Sequence, residues 1–435
     1  MTRNSIFNRL RQWCWATGGI LGVFATSTFC LADGTIRDGM GARSIGRGGT
    51  NLAFADNAHV MLDNPAGLIR NSADGIFEIG GHLMMTDLEY SDADNPSVGD
   101  IDNPFPLGEI AFGRKLSDSV AVGFGAFSVG GFSAEYLMNG PGPAFGGREH
   151  YKSMSAMARL LPTLSLQLTE RLSMGATLGA AINHVELEGP YTLQTAAGLA
   201  GTPTRLDLQA TGIAPSWSLG GQYALSEATT IGVAYQHETE MTLDGSTSVT
   251  IPGVGTARYD STLAVAWPRS LGVGIAHRLT PERTLGFDAI WYDWSRAHDQ
   301  FDLSLRDPNN PVFQAVAPTL EEAFPLSWRD TVSLRVGIQQ ELDGGRVLRA
   351  GYVYHRNPIP AATQTVYIQT AIEHAISVGY GWRAGDWAID AAYQLLLAPD
   401  LDVGTNDLLG DDFDNSTASV TAHQVSLSFQ RVRRR

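Results

Sequence analysis

"TVSLRVGIQQELDGGRVLRAGYVY", Thr331 to Tyr354, is two alternating runs about a single turn. Val332, Leu334, Val336 and Ile338 fall on one face, with Thr331, Ser333, Arg335, Gly337 and Gln339 on the other. A period of two is the signature of a strand with one apolar and one polar face. Asp343-Gly344-Gly345 supplies a short turn between the two runs. The same period recurs upstream and downstream. Val120, Val122, Phe124 and Ala126 share a face, as do Met174, Ala176, Leu178, Ala180 and Ile182, and later Trp387, Ile389, Ala391 and Tyr393.

The connections alternate as well. Short turns at Ser117–Ser119, Thr169–Arg171, Ser226–Ala228, Thr280–Arg283, Asp343–Gly345 and Ala384–Asp386 interleave with long polar stretches near 88–106, 130–150, 187–205, 238–258, 299–326, 356–370 and 398–418. Counted this way, the chain from about Ile76 onward holds fourteen strands, with both ends on the short-turn side. A soluble β-sandwich or propeller explains the alternation but not the regular exchange of short and long connections. A transmembrane β-barrel explains both, with short periplasmic turns and longer external loops. Aromatic residues near strand ends, among them Tyr223, Trp267, Tyr292, Trp294, Trp328 and Trp382, suit the interfacial girdles of such a barrel.

The first residues agree with export. Arg3, Arg9 and Arg11 precede an apolar stretch from Ala16 to Leu31, and small residues around Ala32 fit a cleavage site. The expected organisation is a signal peptide at 1–32, a separate segment at 33–75, a barrel at 76–431 and a basic tail at 432–435. The full chain carries a net charge of −15, and losing three arginines makes the mature chain more acidic. A surface of that sign argues against nucleic acid. Cys14 and Cys30 both lie in the leader, which removes thiolate chemistry and disulfides from the mature protein. No run of about 18 apolar residues follows the leader, so spanning helices are not expected.

Between leader and barrel lies "GTNLAFADNAHVMLDNPAGLIR", Gly49 to Arg70, which does not alternate. Asn64-Pro65-Ala66-Gly67 suits a type I turn, with Pro at the second position and Gly at the fourth. The residue before a proline avoids the helical region, so a short helix here is expected to stop by Asp63.

Several stretches resemble the FadL/TodX family of outer-membrane transporters for hydrophobic compounds. "GARSIGRGGTNLAFADNAHVMLDNPAGL" is similar to that family's hatch segment with its Asn-Pro-Ala motif. "AWPRSLGVGIAHRLTPERTLGFDAIWYDWS" and "SWRDTVSLRVGIQQELDGGRVLRAGYVYHRNPIP" resemble two of its hairpins. The resemblance implies an all-β, 14-stranded antiparallel transmembrane barrel, plugged by a small, partly helical N-terminal hatch with Asn64, Pro65, Ala66 and Gly67 as its gate. It implies an outer-membrane channel of a Gram-negative bacterium for passive uptake of compounds such as long-chain fatty acids or monoaromatic hydrocarbons. It further implies a monomer among outer-membrane lipids and lipopolysaccharide, inserted by the barrel-assembly machinery, with no cofactor.

In that family cargo is thought to leave sideways at a kink in the third strand, here read as Val120 to Val129. Gly123, Gly125, Gly130 and Gly131 permit such a bend, though close packing against the hatch would also call for glycine. Phe132, Tyr136, Leu137, Met138 and Phe145 in one external connection, and Phe313 and Phe324 in another, offer an apolar landing surface or a self-packed cap. Alternation turns Arg159, Arg335 and Arg349 inward, because an arginine on the lipid face costs about 2–4 kcal/mol at mid-bilayer. There they either meet a cargo carboxylate or pair with lumen acids such as Asp288 and Glu78.

Catalytic patterns are thin. "ARSIG" at Ala42–Gly46 lacks a nucleophile elbow's flanking glycine, and "HETE" at His237–Glu240 lacks the second histidine of a zinc motif. No catalytic residue or metal site is expected. A general porin is the alternative, followed by a barrel enzyme or adhesin.

Overall fold

In the structure, a computed structural model, residues 34–101, 104–142, 144–369 and 372–433 are described. The expected signal peptide lies outside them. The barrel strands are β1 (Gly75–Ser91), β2 (Phe105–Lys115), β3 (Val120–Asn139), β4 (Arg148–Gln167), β5 (Leu172–Thr192) and β6 (Pro203–Ala224). Next come four interrupted strands: β7 (Thr229–Gln236 and Thr239–Ile251), β8 (Gly255–Trp267 and Ser270–Thr280), β9 (Arg283–Tyr292 and Gln300–Arg306) and β10 (Thr319–Pro325 and Thr331–Leu342). β11 (Arg346–Tyr354), β12 (His374–Ala384), β13 (Trp387–Leu397) and β14 (Thr417–Arg433) complete the wall. Each strand pairs antiparallel with the next, and β1 pairs with β14 from Gly75↔Arg433 to Ser91↔Thr417, closing a 14-stranded barrel.

Closure follows from the chemistry of the two faces. Ile79, Leu83, Phe112, Leu178, Val332, Leu334, Val336, Val425 and Leu427 are exposed on the outside, where lipid covers them. Their neighbours Ser333, Ser377, Gln394, Ser426 and Ser428 are buried in the lumen. Closing the sheet pairs the strand backbones around the wall, as hydrocarbon demands, apart from one lapse between β2 and β3.

Three elements depart from the sequence expectation. The third strand does not end at Val129 but runs to Asn139. A bulge between Ser128 and Gly130 adds one residue, and one residue reverses which face each later side chain takes. Ala121 and Phe127 face inward before it; Phe132, Ala134, Tyr136 and Met138 face inward after it. Pattern reading lost the strand where the parity flipped. Second, Trp267, Tyr292, Trp294 and Trp328 are buried in the lumen and form no part of a lipid-facing girdle. Pro268 has no N–H for the ladder, and pairing lapses at Pro268–Arg269, so β8 bends there. Third, Val432 and Arg433 are not tail but the end of β14, paired with Ile76 and Gly75.

Residues 34–74 fill the lumen with α1 (Gly41–Gly46), α2 (Val60–Asp63) and α3 (Gly67–Arg70). α2 stops at Asp63, one residue before Asn64, whose extended backbone (φ −155°, ψ 97°) suits a residue preceding proline. α4 (Trp294–Ala297) and α5 (Pro311–Val316) interrupt the β9–β10 region.

Candidate functional site

The hatch rests on a ring of glycines. Gly175, Gly220, Gly232, Gly274, Gly286, Gly337, Gly351 and Gly379 stand one on each of eight successive strands, β5 to β12, and a methyl on any of them would collide with the hatch or with the side chain that holds it. The wall thus accepts hatch backbone at van der Waals distance. Polar wall side chains then satisfy the hatch's own N–H groups. Asp288 accepts from the N–H of Asn51 (2.8 Å) and Leu52 (3.1 Å), Glu78 from Ala58 (2.7 Å), Ser428 from Ala42 (2.8 Å) and Ser377 from Gly48 (3.1 Å). Asp288 and Glu78, expected as partners for lumen arginines, therefore hold the plug.

Asn64 has no exposure and is part of the same fastening. Its amide donates to the carbonyls of Leu52 (2.7 Å) and Gly221 (3.1 Å), while its oxygen accepts from Ala66 N–H (3.2 Å). Gly67 N–H donates to the Asn64 carbonyl (3.0 Å), closing the four-residue turn, and α3 starts from it. Pro65 packs on Gly175 and Gly220.

On the periplasmic side, ion pairs within and between hatch and wall surround an open polar vestibule of about 500 Å³. Arg43 and Arg349 both pair with Asp390 at 2.6 Å, and Arg47 pairs with Asp56 at 2.8 Å. Burial opposes charge on Asp56, but Arg47 and Arg43 outweigh it and hold its carboxyl well below the usual carboxylate range. Arg349 is thus committed to Asp390 and Gln339. Arg335 is committed to Asp38 of the hatch and to Ser333.

Arg159 is placed differently. It lines an inner cavity of about 90 Å³ with Arg37, Arg335 and Asp63, next to Met40, Leu52, Leu62, Val129 and Ile290. Among the described residues, neither Arg159 nor Arg37 is in an ion pair. The Arg159 Nε and the Arg37 Nε and Nη2 atoms are buried without a hydrogen-bond partner. Arg37 uses only one nitrogen, towards Met40 Sδ and the Ser128 carbonyl (both 3.1 Å). Sequence reading missed Arg37, which lies outside any alternating stretch.

Above this cavity, on the external side, a second one of about 70 Å³ is lined by Phe132, Val185, Leu187, Leu208, Leu263, Phe324, Leu326 and Ile368. The apolar residues expected in external connections mostly point inward: Phe132, Tyr136, Met138, Phe145 and Phe313 are buried, and Leu137 faces out. Tyr136 and Met138 pack in the core under the loops with Tyr90 and Tyr367. Phe313 packs edge-on against Tyr259.

The wall is weakest beside these cavities. β2 and β3 are paired only from Lys115↔Ala121 up to Glu109↔Phe127. Beyond that, Phe105 to Gly108 pair with β1 alone, and Ser128 Oγ bridges to the Gly108 carbonyl (3.0 Å). The N-terminal strap occupies the exposed strand edge instead. Arg37 N–H donates to Val129 (3.2 Å) and Gly131 N–H to Thr35 (2.8 Å). Gly131, at φ +147°, takes a backbone shape that a side chain would strain. Gly123 packs against Met61 and Leu68 of the hatch, and Gly125 against the ring of Phe127. So two of the four strand-three glycines make room for packing, and two sit at the bulge.

The profile of a family described as outer membrane protein transport protein (OMPP1/FadL/TodX) matches residues 23–432. The chain belongs to this family. FadL/TodX proteins are outer-membrane transport channels for hydrophobic compounds, not enzymes, and that is the coarse function of this one. Among solved structures, the Pseudomonas putida toluene transporter TodX superposes with a TM-score of 0.77 at 18% identity, covering 92% of this chain and 99% of TodX. A Pseudomonas aeruginosa FadL homologue gives 0.75 at 17%, covering 92% and 99%. The Ralstonia pickettii toluene transporter TbuX gives 0.70 at 19%, covering 91% and 98%. At such identities the likeness establishes the barrel-and-hatch fold of the family and nothing finer. No curated protein sequence matches the chain significantly.

Proposed function

We propose that this family member carries long-chain amphiphiles with a carboxylate head, such as fatty acids. Cargo enters the outer apolar cavity, places its head at Arg37 and Arg159 in the inner one, and leaves sideways between β2 and β3. The observation that carries this reading is the pair of buried guanidiniums with unbonded nitrogens and, among the described residues, no ion pair, in a cavity whose three arginines outnumber its one acid, Asp63. A buried charge is costly unless paired, so the inner cavity favours an anion over water or a hydrocarbon. Lateral exit is supported by the lapse of β2–β3 pairing, where only the N-terminal strap lies on the β3 edge, and by the charged vestibule below, which an apolar chain would avoid. The strap at Thr35–Arg37 and the hatch fastened at Asn64 act as the gate.

Equilibrium binding of a fatty acid and of the matching fatty alcohol tests the head-group claim. Arg159→Leu is expected to weaken the acid by about tenfold or more, since charge-assisted hydrogen bonds contribute ~1.5–3 kcal/mol, and to leave the alcohol unchanged. Equal affinity of the wild type for acid and alcohol would sink it in favour of neutral cargo.

A further inference from the structure

We infer that Trp267 is the gate between the two cavities, a residue that sets how fast cargo passes inward without setting how tightly it binds. The inference rests on the two-cavity route proposed above. The side chain is 4% exposed, reaching from β8 into the lumen to meet β3 at its bulge. A methyl on Gly130 would come within 2.9 Å of the indole, so the two are in contact.

That contact, with the strap's Thr35 carbonyl against the same glycine, is the partition. Along β3, Val129 lines the inner cavity and Phe132 the outer, on either side of Gly130. Along β8, Pro268 lines the inner cavity and Leu263 the outer, on either side of Trp267. Trp267 itself lines neither.

The indole is packed in the apolar core and has a single polar tie. Its Nε1 donates to Asn183 Oδ1 (2.9 Å) on β5, and Asn183 is fixed in turn through Nδ2 to Ser155 Oγ (3.1 Å) and the Ala156 carbonyl (2.9 Å). Behind it β8 is freed from its ladder at Pro268–Arg269, directly after the Trp267↔Thr239 pair. Rotation of the ring therefore breaks one hydrogen bond and no ion pair, and displaces the apolar side chains packed around it. A closed indole leaves no path past Gly130; a rotated one joins the cavities.

A pure gate changes association and dissociation by the same factor. Stopped-flow fluorescence on the purified barrel, using the neutral dye N-phenyl-1-naphthylamine and the anionic cis-parinaric acid, reads both rates. Trp267→Ala is expected to speed both by about tenfold for either probe, with Trp267→Phe between it and the wild type and Kd unchanged. A changed Kd with one rate untouched makes Trp267 part of a binding site and overturns the inference, as do unchanged rates. Heat-modifiable migration on gels verifies folding, and Trp267→Phe decides the matter if the alanine variant does not assemble. The neutral dye separates this claim from the head-group reading: Arg159→Leu bears only on the anionic probe, Trp267→Ala on both.

Discussion

Glu322 takes four hydrogen bonds on one carboxylate: from Tyr191 Oη (3.1 Å) and from the N–H groups of Gln194 (2.5 Å), Thr195 (3.0 Å) and Ala196 (2.9 Å). It staples the connection between β5 and β6 onto β10, over the outer cavity. Glu322→Gln is expected to loosen that connection by about 1.5–3 kcal/mol, the usual worth of hydrogen bonds to a charged group. Hydrogen exchange at residues 193–202 measures it, and unaltered protection would contradict the assignment. Nothing in "TLEEAFPL" sets Glu322 apart from Glu321, because its partners lie more than a hundred residues away. Arg335 and Arg349 were readable as inward from alternation alone, but their acids, Asp38 and Asp390, were not. A period of two fixes a face; it is silent on what stands across the lumen.

Strands were legible wherever the period held, and the misreadings share a cause. At Gly130 a bulge flips the faces, and at Pro268 the ladder lapses; both put large apolar residues in the lumen that their positions assign to loop or lipid. The hatch was legible by default, as the segment that refused to alternate. The turn at Asn64–Gly67 was readable from proline and glycine chemistry, whereas its fastening to Gly221 was not. Two predictions belong at this scale. Asp412, in the connection between β13 and β14, accepts from Thr192 Oγ1 (3.0 Å) while burial and neighbouring Asp411 push its carboxyl up to about 6. An acid raised above its unfolded value of about 3.9 binds more protons when docked, so docking strengthens as pH falls from above 6 towards 4. Hydrogen exchange at residues 403–416 should slow over that window, and Asp412→Asn should remove the dependence. The second concerns His59, next to α2, with its ring between Glu78 of β1 (3.4 Å) and Glu109 of β2 (3.5 Å), and with Asp63 and Arg37 of the hatch, His82 of β1 and Phe127 of β3 nearby. Burial works against the charged ring, but Glu78 and Glu109 prevail and hold it above its ordinary range. Stability from such a raised group is complete below about 6.5 and is lost as pH climbs through the folded value. The hatch should therefore loosen at alkaline pH, seen as faster exchange at 56–64, and His59→Gln should flatten the response.

At the scale of the whole molecule, a barrel with a seated hatch conducts few ions although its inner face is polar. The purified protein is expected to give almost no conductance in a planar bilayer. Gly351→Val, which drives a side chain into hatch backbone at Gly48, should raise conductance while the barrel still forms. Large, steady currents from the wild type would instead indicate a porin. The ring of glycines also bears on the order in which the molecule can be made. Eight strands each give up a side chain where the hatch lies against them, and the object that takes that space is the segment synthesised before any of them. The hatch touches strands as late as β12 and β14, through Gly379 and Ser428, so its seat does not exist until nearly the whole sheet has curled. The seam from Gly75↔Arg433 to Ser91↔Thr417 joins the first strand to the last, and once it is zipped a folded plug of this size has no way in. The oldest part of the chain therefore takes its seat only as the last strands arrive, before the seam shuts over it.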